Sequence, residues 1–326
     1  MTRHAEMRKS ANPYLLDCHV DTMLRVVDDG ADLAAGIPEG HLDLDRLERA
    51  GVRVVVFACW PSTDYLPDQS FARTVALAEA VHRQAELHRD RMELARRVGE
   101  ARRIVSEGKV AAMLGVEGGH AIEEDLGKLR ALAELGVRYM TLTWNNHLSW
   151  AESCQRRHDG VPKGLTEFGQ RVVREMHRLG IVTDLAHVSP RTFADVLGMD
   201  LPPPMCSHSA ARALRDHRRN LHDDQIEALS RHGGAMGLTL VPAFLSENPD
   251  LNTAVEHALH ILRVGGPKSL GIGTDFDGIK RGPAGLEDCS ALPKLLGEIG
   301  TRGGLTPEEL ADVAHGNLLR VLEAWE

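Results

Sequence analysis

The chain has 326 residues, 43% of them hydrophobic, enough to bury a large core and to fill one large domain or two ordinary ones. A net charge of −9 describes a soluble protein and argues against the basic footprint that nucleic-acid binding normally leaves. No run approaches the roughly 18 apolar residues of a membrane span, and residues 1–12 are polar with no apolar h-region, so neither a membrane anchor nor a secretory signal is expected. The five cysteines (Cys18, Cys59, Cys154, Cys206 and Cys289) form no CxxC pair and, being odd in number, cannot all pair within one chain, which suits a reducing, cytoplasmic setting.

A short apolar run followed by a longer amphipathic stretch recurs along the chain. In order, the apolar runs are Leu15–Asp21, Val52–Ala58, Val110–Glu117, Val137–Thr143, Ile181–His187, Met205–His208, Ala235–Leu240 and Leu270–Asp275. Several are rich in β-branched residues and almost continuously apolar, the pattern of parallel strands buried on both faces. Between them, Val75, Leu77, Ala78, Val81 and Ala85 mark a helix over 71–98, and similar spacing predicts helices over 123–135, 167–179, 223–231 and 252–264. Ser189-Pro190 reads as an N-cap followed by a first-turn proline. Thr306-Pro307-Glu308-Glu309 reads as the capping box of a last helix that runs to about Glu323. Eight strands alternating with helices predict an α/β fold, a (β/α)8 TIM barrel. It would form one domain over 1–326 with loop and C-terminal helix decorations; an open doubly wound sheet is the architectural alternative.

In barrel enzymes the reactive groups sit at the C-terminal ends of the strands. Here the first run ends His19-Val20-Asp21, the third Glu117-Gly118-Gly119, the fifth Asp184-Leu185-Ala186-His187, the sixth Ser207-His208-Ser209 and the eighth Thr274-Asp275-Phe276-Asp277. Residues two apart on a strand share a face, so His19 and Asp21 offer one metal a nitrogen and an oxygen side by side. Glu117 closes an apolar strand, and its two oxygens suit it to bridge two cations. His187 and His208, each ordinary alone, complete a three-ligand set for each of two metals with Glu117 shared. Such mixed N/O ligands suit Zn2+, with Mn2+, Co2+ and Fe2+ also compatible. Asp275 is placed to take a proton from a bridging water and pass it to a leaving group. Its rival Asp277 reads as a turn residue before Gly278, and Gly271-Ile272-Gly273 lacks the third glycine of a dinucleotide fingerprint.

These sites, in this order, resemble the membrane (renal) dipeptidase family, zinc dipeptidases of the amidohydrolase superfamily and peptidase family M19. The matching stretches include Asp17-Cys18-His19-Val20-Asp21, Gly115-Val116-Glu117-Gly118-Gly119-His120, Gly164-Leu165-Thr166-Glu167-Phe168-Gly169 and Asp184-Leu185-Ala186-His187-Val188-Ser189. Ser207-His208-Ser209, Arg218-Arg219-Asn220, Gly271-Ile272-Gly273-Thr274-Asp275-Phe276-Asp277-Gly278, Gly285-Leu286-Glu287-Asp288 and Gly316-Asn317-Leu318-Leu319-Arg320-Val321 follow, so nearly the whole chain is covered.

The resemblance implies two Zn2+ per chain, one held by His19, Asp21 and Glu117 and the other by Glu117, His187 and His208. It implies that Asp275 shuttles the proton and that Arg219 binds the substrate's terminal carboxylate, a task that suits a planar guanidinium fork. One departure stands out. Well-known members carry a carbonyl-polarising His where this chain has Trp144, within Thr141-Leu142-Thr143-Trp144-Asn145-Asn146-His147. Trp donates one N–H but cannot hold a cation's charge. Trp144 is therefore read as lining the substrate site, with the oxyanion role and substrate range left open, and His147 as a rim residue.

The function implied is hydrolysis of small dipeptides, including those with a C-terminal D-residue, by a hydroxide bridging two metal ions. Two alternatives remain: a binuclear hydrolase of another amide or ester bond, or a non-hydrolytic accessory protein. Superfamily members acting on other bonds often bridge their metals with a modified Lys from the fourth strand, where this chain has Trp144. No nucleic-acid or membrane partner is expected. Relatives often form dimers, so a homodimer is compatible with the resemblance, although no interface is legible.

Overall fold

The computed structural model describes residues 13–326; the absence of a secretory signal in 1–12 lies outside them. The strands are β1 (Leu15–Val20), β2 (Val52–Cys59), β3 (Met92–Leu94), β4 (Val110–Glu117), β5 (Val137–Thr141), β6 (Val182–Asp184), β7 (Met205–Ser209), β8 (Ala235–Leu238) and β9 (Leu270–Ile272). Eight of these correspond to the eight apolar runs. They close a parallel barrel in the order β1-β2-β4-β5-β6-β7-β8-β9, with β9 back against β1. The protein is a (β/α)8 TIM barrel.

The short β3 stands outside that ring. It pairs with the N-terminal half of β4, from Met92↔Val110 to Leu94↔Ala112, while β5 pairs with the C-terminal half. This corrects the expected helix over 71–98, which is instead a helix at Ser70–Leu87, then β3, then a second helix at Val98–Ser106. The polar stretch His88-Arg89-Asp90-Arg91 turns the chain, with the Arg91 and Met92 amides both donating to the His88 carbonyl. Arg91 is anchored by Glu48 and Asp45, and the turn buries Met92. The helix expected over 123–135 starts at Leu126, because Glu123 and Glu124 hold left-handed backbone (φ 47° and 59°) and Asp125 caps the helix at the Gly127 amide.

The helices Glu167–Leu179 and Asp223–Arg231 match expectation, and Leu251–Gly265 matches within a residue at each end. Ser189 caps Pro190–Leu197 at the Thr192 amide, and Thr306 and Glu309 form the expected capping box. The last helix does reach Glu323, but a π-helical segment at Asp312–Gly316 interrupts it. Just beyond, the buried Asn317 amide donates to the Pro267 and Leu270 carbonyls and ties the helix to the start of β9.

Alternate strand residues pack in the barrel interior. Leu16, Cys18, Val54, Val56, Ala111, Met113 and Tyr139 share one apolar cluster with Leu318 and Leu322 of the C-terminal helix and Trp325 just beyond it. That helix therefore plugs the N-terminal end of the barrel and leaves the opposite mouth for the site. Packing near the mouth is tight. A Cβ on Gly115 would lie 2.3 Å from Cζ of Tyr139, whose hydroxyl sits 2.7 Å from Nδ1 of His19. Gly115→Ala should accordingly cost about 1–3 kcal/mol of stability through overpacking. Urea denaturation of the metal-free protein checks this, and an unchanged midpoint would show that the ring can yield.

Candidate metal centre

The strand ends deliver the expected residues to one place. His19 Nε2 lies 3.7 Å from Asp21 Oδ2, 3.8 Å from Glu117 Oε2 and 3.9 Å from Asp275 Oδ1. The other Glu117 oxygen, Oε1, lies 2.8 Å from His187 Nε2 and 3.3 Å from His208 Nε2. One carboxylate thus faces two nitrogen sets with different oxygens. Both expected triads, His19/Asp21/Glu117 and Glu117/His187/His208, bring their ligand atoms within 4.8 Å of one another, as does His19/His208/Asp275. All five expected metal ligands are buried.

Backbone strain and hydrogen bonds hold this arrangement. His187 and Asp275 both adopt left-handed backbone (φ 65° and 67°), which side chains rarely take and which turns the chain sharply at the strand ends. Asp17 accepts from the Thr274 amide at 3.0 Å and its hydroxyl at 2.6 Å, and the Asp275 amide donates to the His19 carbonyl. The first and last strand ends are thereby stitched together. Asp184 accepts from the Ser207 amide and hydroxyl, the Ala186 amide and the Thr141 hydroxyl. With its proton committed to Asp184, the Ser207 oxygen accepts from Nδ1–H of His208 at 2.8 Å, leaving His208 Nε2 a bare lone pair.

The electrostatics of this cluster call for a cation. Burial pushes the Asp21 carboxyl well above its usual range, and the nearby Glu117 and Asp275 charges add to the shift. Burial also raises Asp275, to about 6, even though His19 opposes the shift. Burial lowers His187 to about 4, helped by the Arg219 charge, and lowers His208 well below the imidazole range. Glu117 goes the other way: burial opposes its charge, but the surrounding His19, His187 and His208 hold it well below the usual carboxylate range. Among the described residues His19 Nε2 and both Asp21 oxygens have no hydrogen-bond partner, and the Nε2 atoms of His187 and His208 meet at 3.0 Å. Unpartnered buried acceptors and facing imidazole nitrogens are costly unless they share a cation, so these residues fit a metal centre.

Above the cluster lies a cavity of about 250 Å3, whose lining includes Asp21, Glu117, His187, Asp275, Arg219 and Trp144. Arg219 is buried, donates from Nη2 to the His208 carbonyl and lies 5.3 Å from the centre of the Phe244 ring. Trp144 packs 4.9 Å from Trp60. Asp277 accepts from the Thr22 hydroxyl and the His41 amide, so it clamps the loop after β9, as a turn residue would. His147 accepts from the Ser153 amide outside the cluster. Sequence reasoning missed Trp60, Tyr139 and the supporting role of Asp184. Trp60 directly follows β2 and Asp184 lies three residues before His187, the last residue of an apolar run, and both were legible signals. Tyr139 lies mid-strand and carried none.

Buried imidazoles and carboxylates at the C-terminal rim of a closed parallel barrel define a metal-dependent hydrolase. Residues 5–326 match the membrane dipeptidase family, peptidase family M19. The chain belongs to that family. A Schizosaccharomyces pombe protein named as an uncharacterized dipeptidase is 33% identical over 341 residues, covering 99% of this chain and 81% of that one. The M19 metallopeptidase dipeptidase AC superposes with a TM-score of 0.88 at 28% identity, over 97% of this chain and 99% of that one. A Rhodobacter sphaeroides metallopeptidase, liganded with a phosphinate mimic of L-Ala-D-Ala, gives 0.88 at 27% identity, over 97% and 100%. The protein is a metallo-dipeptidase of the M19 type, a hydrolase acting on small peptides. Among the described residues no helix is long and apolar enough to cross a membrane.

Adding Zn2+ to the metal-free protein should raise its stability by about 3 kcal/mol when free metal is 100-fold above Kd. Glu117→Gln should lose most of that gain. Thermal denaturation with and without metal checks both, and equal gains in the two proteins would separate Glu117 from the metal.

Proposed function

We propose that the chain hydrolyses dipeptides with two zinc ions, one held by His19, Asp21 and Glu117 and the other by Glu117, His187 and His208. The observation that carries this reading is the division of Glu117, with Oε2 toward His19 and Oε1 toward His187 and His208. The mixed N/O donor set suits zinc. When bound, such a pair supplies Lewis acidity and a shared water acidified toward neutral pH, the source of the attacking hydroxide.

The chain's own groups do the rest. Asp275, buried beside His19 with its carboxyl raised to about 6, accepts a proton at Oδ1 and returns it to the departing amine. Arg219 pairs with the substrate's terminal carboxylate. Its buried Nε has no partner among the described residues, so a carboxylate would find an unsatisfied donor. Trp60 and Trp144 form an aromatic wall after β2 and β5, across the mouth from Arg219 after β7. That wall excludes water and bounds the substrate's other end. Acceptance of a C-terminal D-residue is supported by the Rhodobacter sphaeroides relative, which holds a mimic of L-Ala-D-Ala.

A ninhydrin assay over L-Xaa-L-Xaa and L-Xaa-D-Xaa dipeptides tests this reading. Asp275→Asn should lower kcat by about 10²–10⁴-fold while metal content stays the same. No cleavage by metal-loaded protein would redirect the site to another amide or ester bond, or to an accessory role. Arg219→Ala should lower kcat/KM by roughly 30-fold or more on free dipeptides, the cost of leaving a charged partner unpaired. C-terminally amidated dipeptides should be cleaved equally poorly by both proteins, and an undiminished Arg219→Ala enzyme would refute carboxylate capture.

A further inference from the structure

Beyond the residues that face the cavity, a short hydrogen-bonded chain runs from the loop before Arg219 to His187. Nη1 of Arg218 donates to Oε1 of Gln155 at 2.6 Å. Nε2 of Gln155 donates to Oδ1 of Asn145 at 3.0 Å. The same Asn145 oxygen lies 3.1 Å from Nδ1 of His187. The polarity of this chain is forced from its outer end. A guanidinium has only donors, so Gln155 must turn its carbonyl oxygen to Arg218 and its amide to Asn145. Asn145 must then present its oxygen, and an oxygen opposite Nδ1 requires the imidazole proton to sit on Nδ1.

We propose that Arg218, Gln155 and Asn145 form a polarity relay that fixes His187 in its Nδ1–H tautomer, with Asn145 as the positioning residue that makes His187 a metal ligand. The inference rests on the metal-centre reading above and deepens it. The inner end agrees with the outer one. With the proton on Nδ1, the Nε2 lone pair of His187 points at the Oε1 atom of Glu117, 2.8 Å away, and at Nε2 of His208, 3.0 Å away. Ser207 and Asp184 independently leave His208 Nε2 deprotonated. Two lone pairs and a carboxylate oxygen converging on one point need a cation between them, and with the opposite tautomer His187 would instead place a proton there. Asn145, Gln155 and Arg218 come from the loops after β5 and β7, so the relay also joins the substrate-carboxylate loop to the metal site. Outer partners of this kind typically change metal affinity by about 10–100-fold when removed.

Zinc affinity, measured by competition with a chromogenic chelator on the full-length protein, tests the relay without relying on turnover. Asn145 and Arg218 are exposed and Gln155 is half-buried, so substitutions there should leave the apo fold intact, which apo thermal denaturation verifies. Asn145→Leu should weaken the uptake of one of the two zinc ions by about 10–100-fold. Asn145→Asp, which keeps the acceptor, should stay within about threefold of the unsubstituted protein, a margin well inside that range. Gln155→Glu is nearly isosteric but presents only acceptors, so it should force the Asn145 amide to flip and weaken the same zinc. A purely structural contact would not distinguish Gln155→Glu from the original glutamine. Asn145→Leu and Gln155→Glu that both bind two zinc ions as tightly as the unsubstituted protein would overturn the relay. If the unsubstituted protein itself takes up no zinc, the metal-centre reading fails and the relay fails with it.

Discussion

The mouth of the barrel is organised around one buried carboxylate. Glu117 ends β4, the strand beside which both β3 and β5 pair, and it has almost no contact with solvent. An isolated carboxylate in such a place would lose its charge. It stays ionised despite that burial chiefly because the His19 charge lies beside it, while burial holds His187 and His208 toward their neutral forms. Among the described residues no group balances the whole cluster: Asp21 and His19 retain unpartnered atoms. The barrel therefore folds a charge deficit into its own interior, and a metal is the economical way to satisfy it.

Rigidity around that deficit comes from residues that never face substrate. Asp17 and Asp184 are both buried and both spend their oxygens on the backbone and hydroxyls of neighbouring strands. Each thereby locks a strand end that carries a candidate metal ligand, Asp17 beside His19 and Asp275, and Asp184 beside Ser207 and His208. The left-handed backbone of His187 and Asp275 is held by bonds of their own: the His187 carbonyl accepts from the Cys154 amide and the Thr143 hydroxyl, and the Asp275 amide donates to the His19 carbonyl. Ligand geometry is thus a property of the stitched strand ends and not of flexible loops.

The aromatic side of the mouth is where this chain departs from the pattern it resembles. Trp144 stands where a polarising His is expected and packs on Trp60 instead of presenting a charge. The residue after it takes up a different task, since Asn145 turns its oxygen to His187. One loop thus places a hydrophobic wall and a hydrogen-bond partner of the candidate metal ligand His187 side by side.

How much of this was legible in the sequence depends on the range of the interaction. Strand periodicity, the caps at Ser189 and Thr306, and the imidazoles and carboxylates that close the apolar runs are local signals, and they place all eight barrel strands and the expected ligands at one rim. The helix expected over 71–98 misleads for a local reason too, because three residues of strand inside an amphipathic stretch have no periodicity of their own. What the sequence by itself could not determine are the meetings between distant strands: Tyr139 with His19, Asp184 with Ser207, Trp60 with Trp144, and Gln155 with Asn145 and Arg218. Which oxygen of Glu117 faces which imidazole belongs to the same class. The order of residues along each strand fixes what chemistry arrives at the mouth. Only closure of the barrel, through the stagger of its strands and the packing of its interior, decides which atoms come within reach of one another.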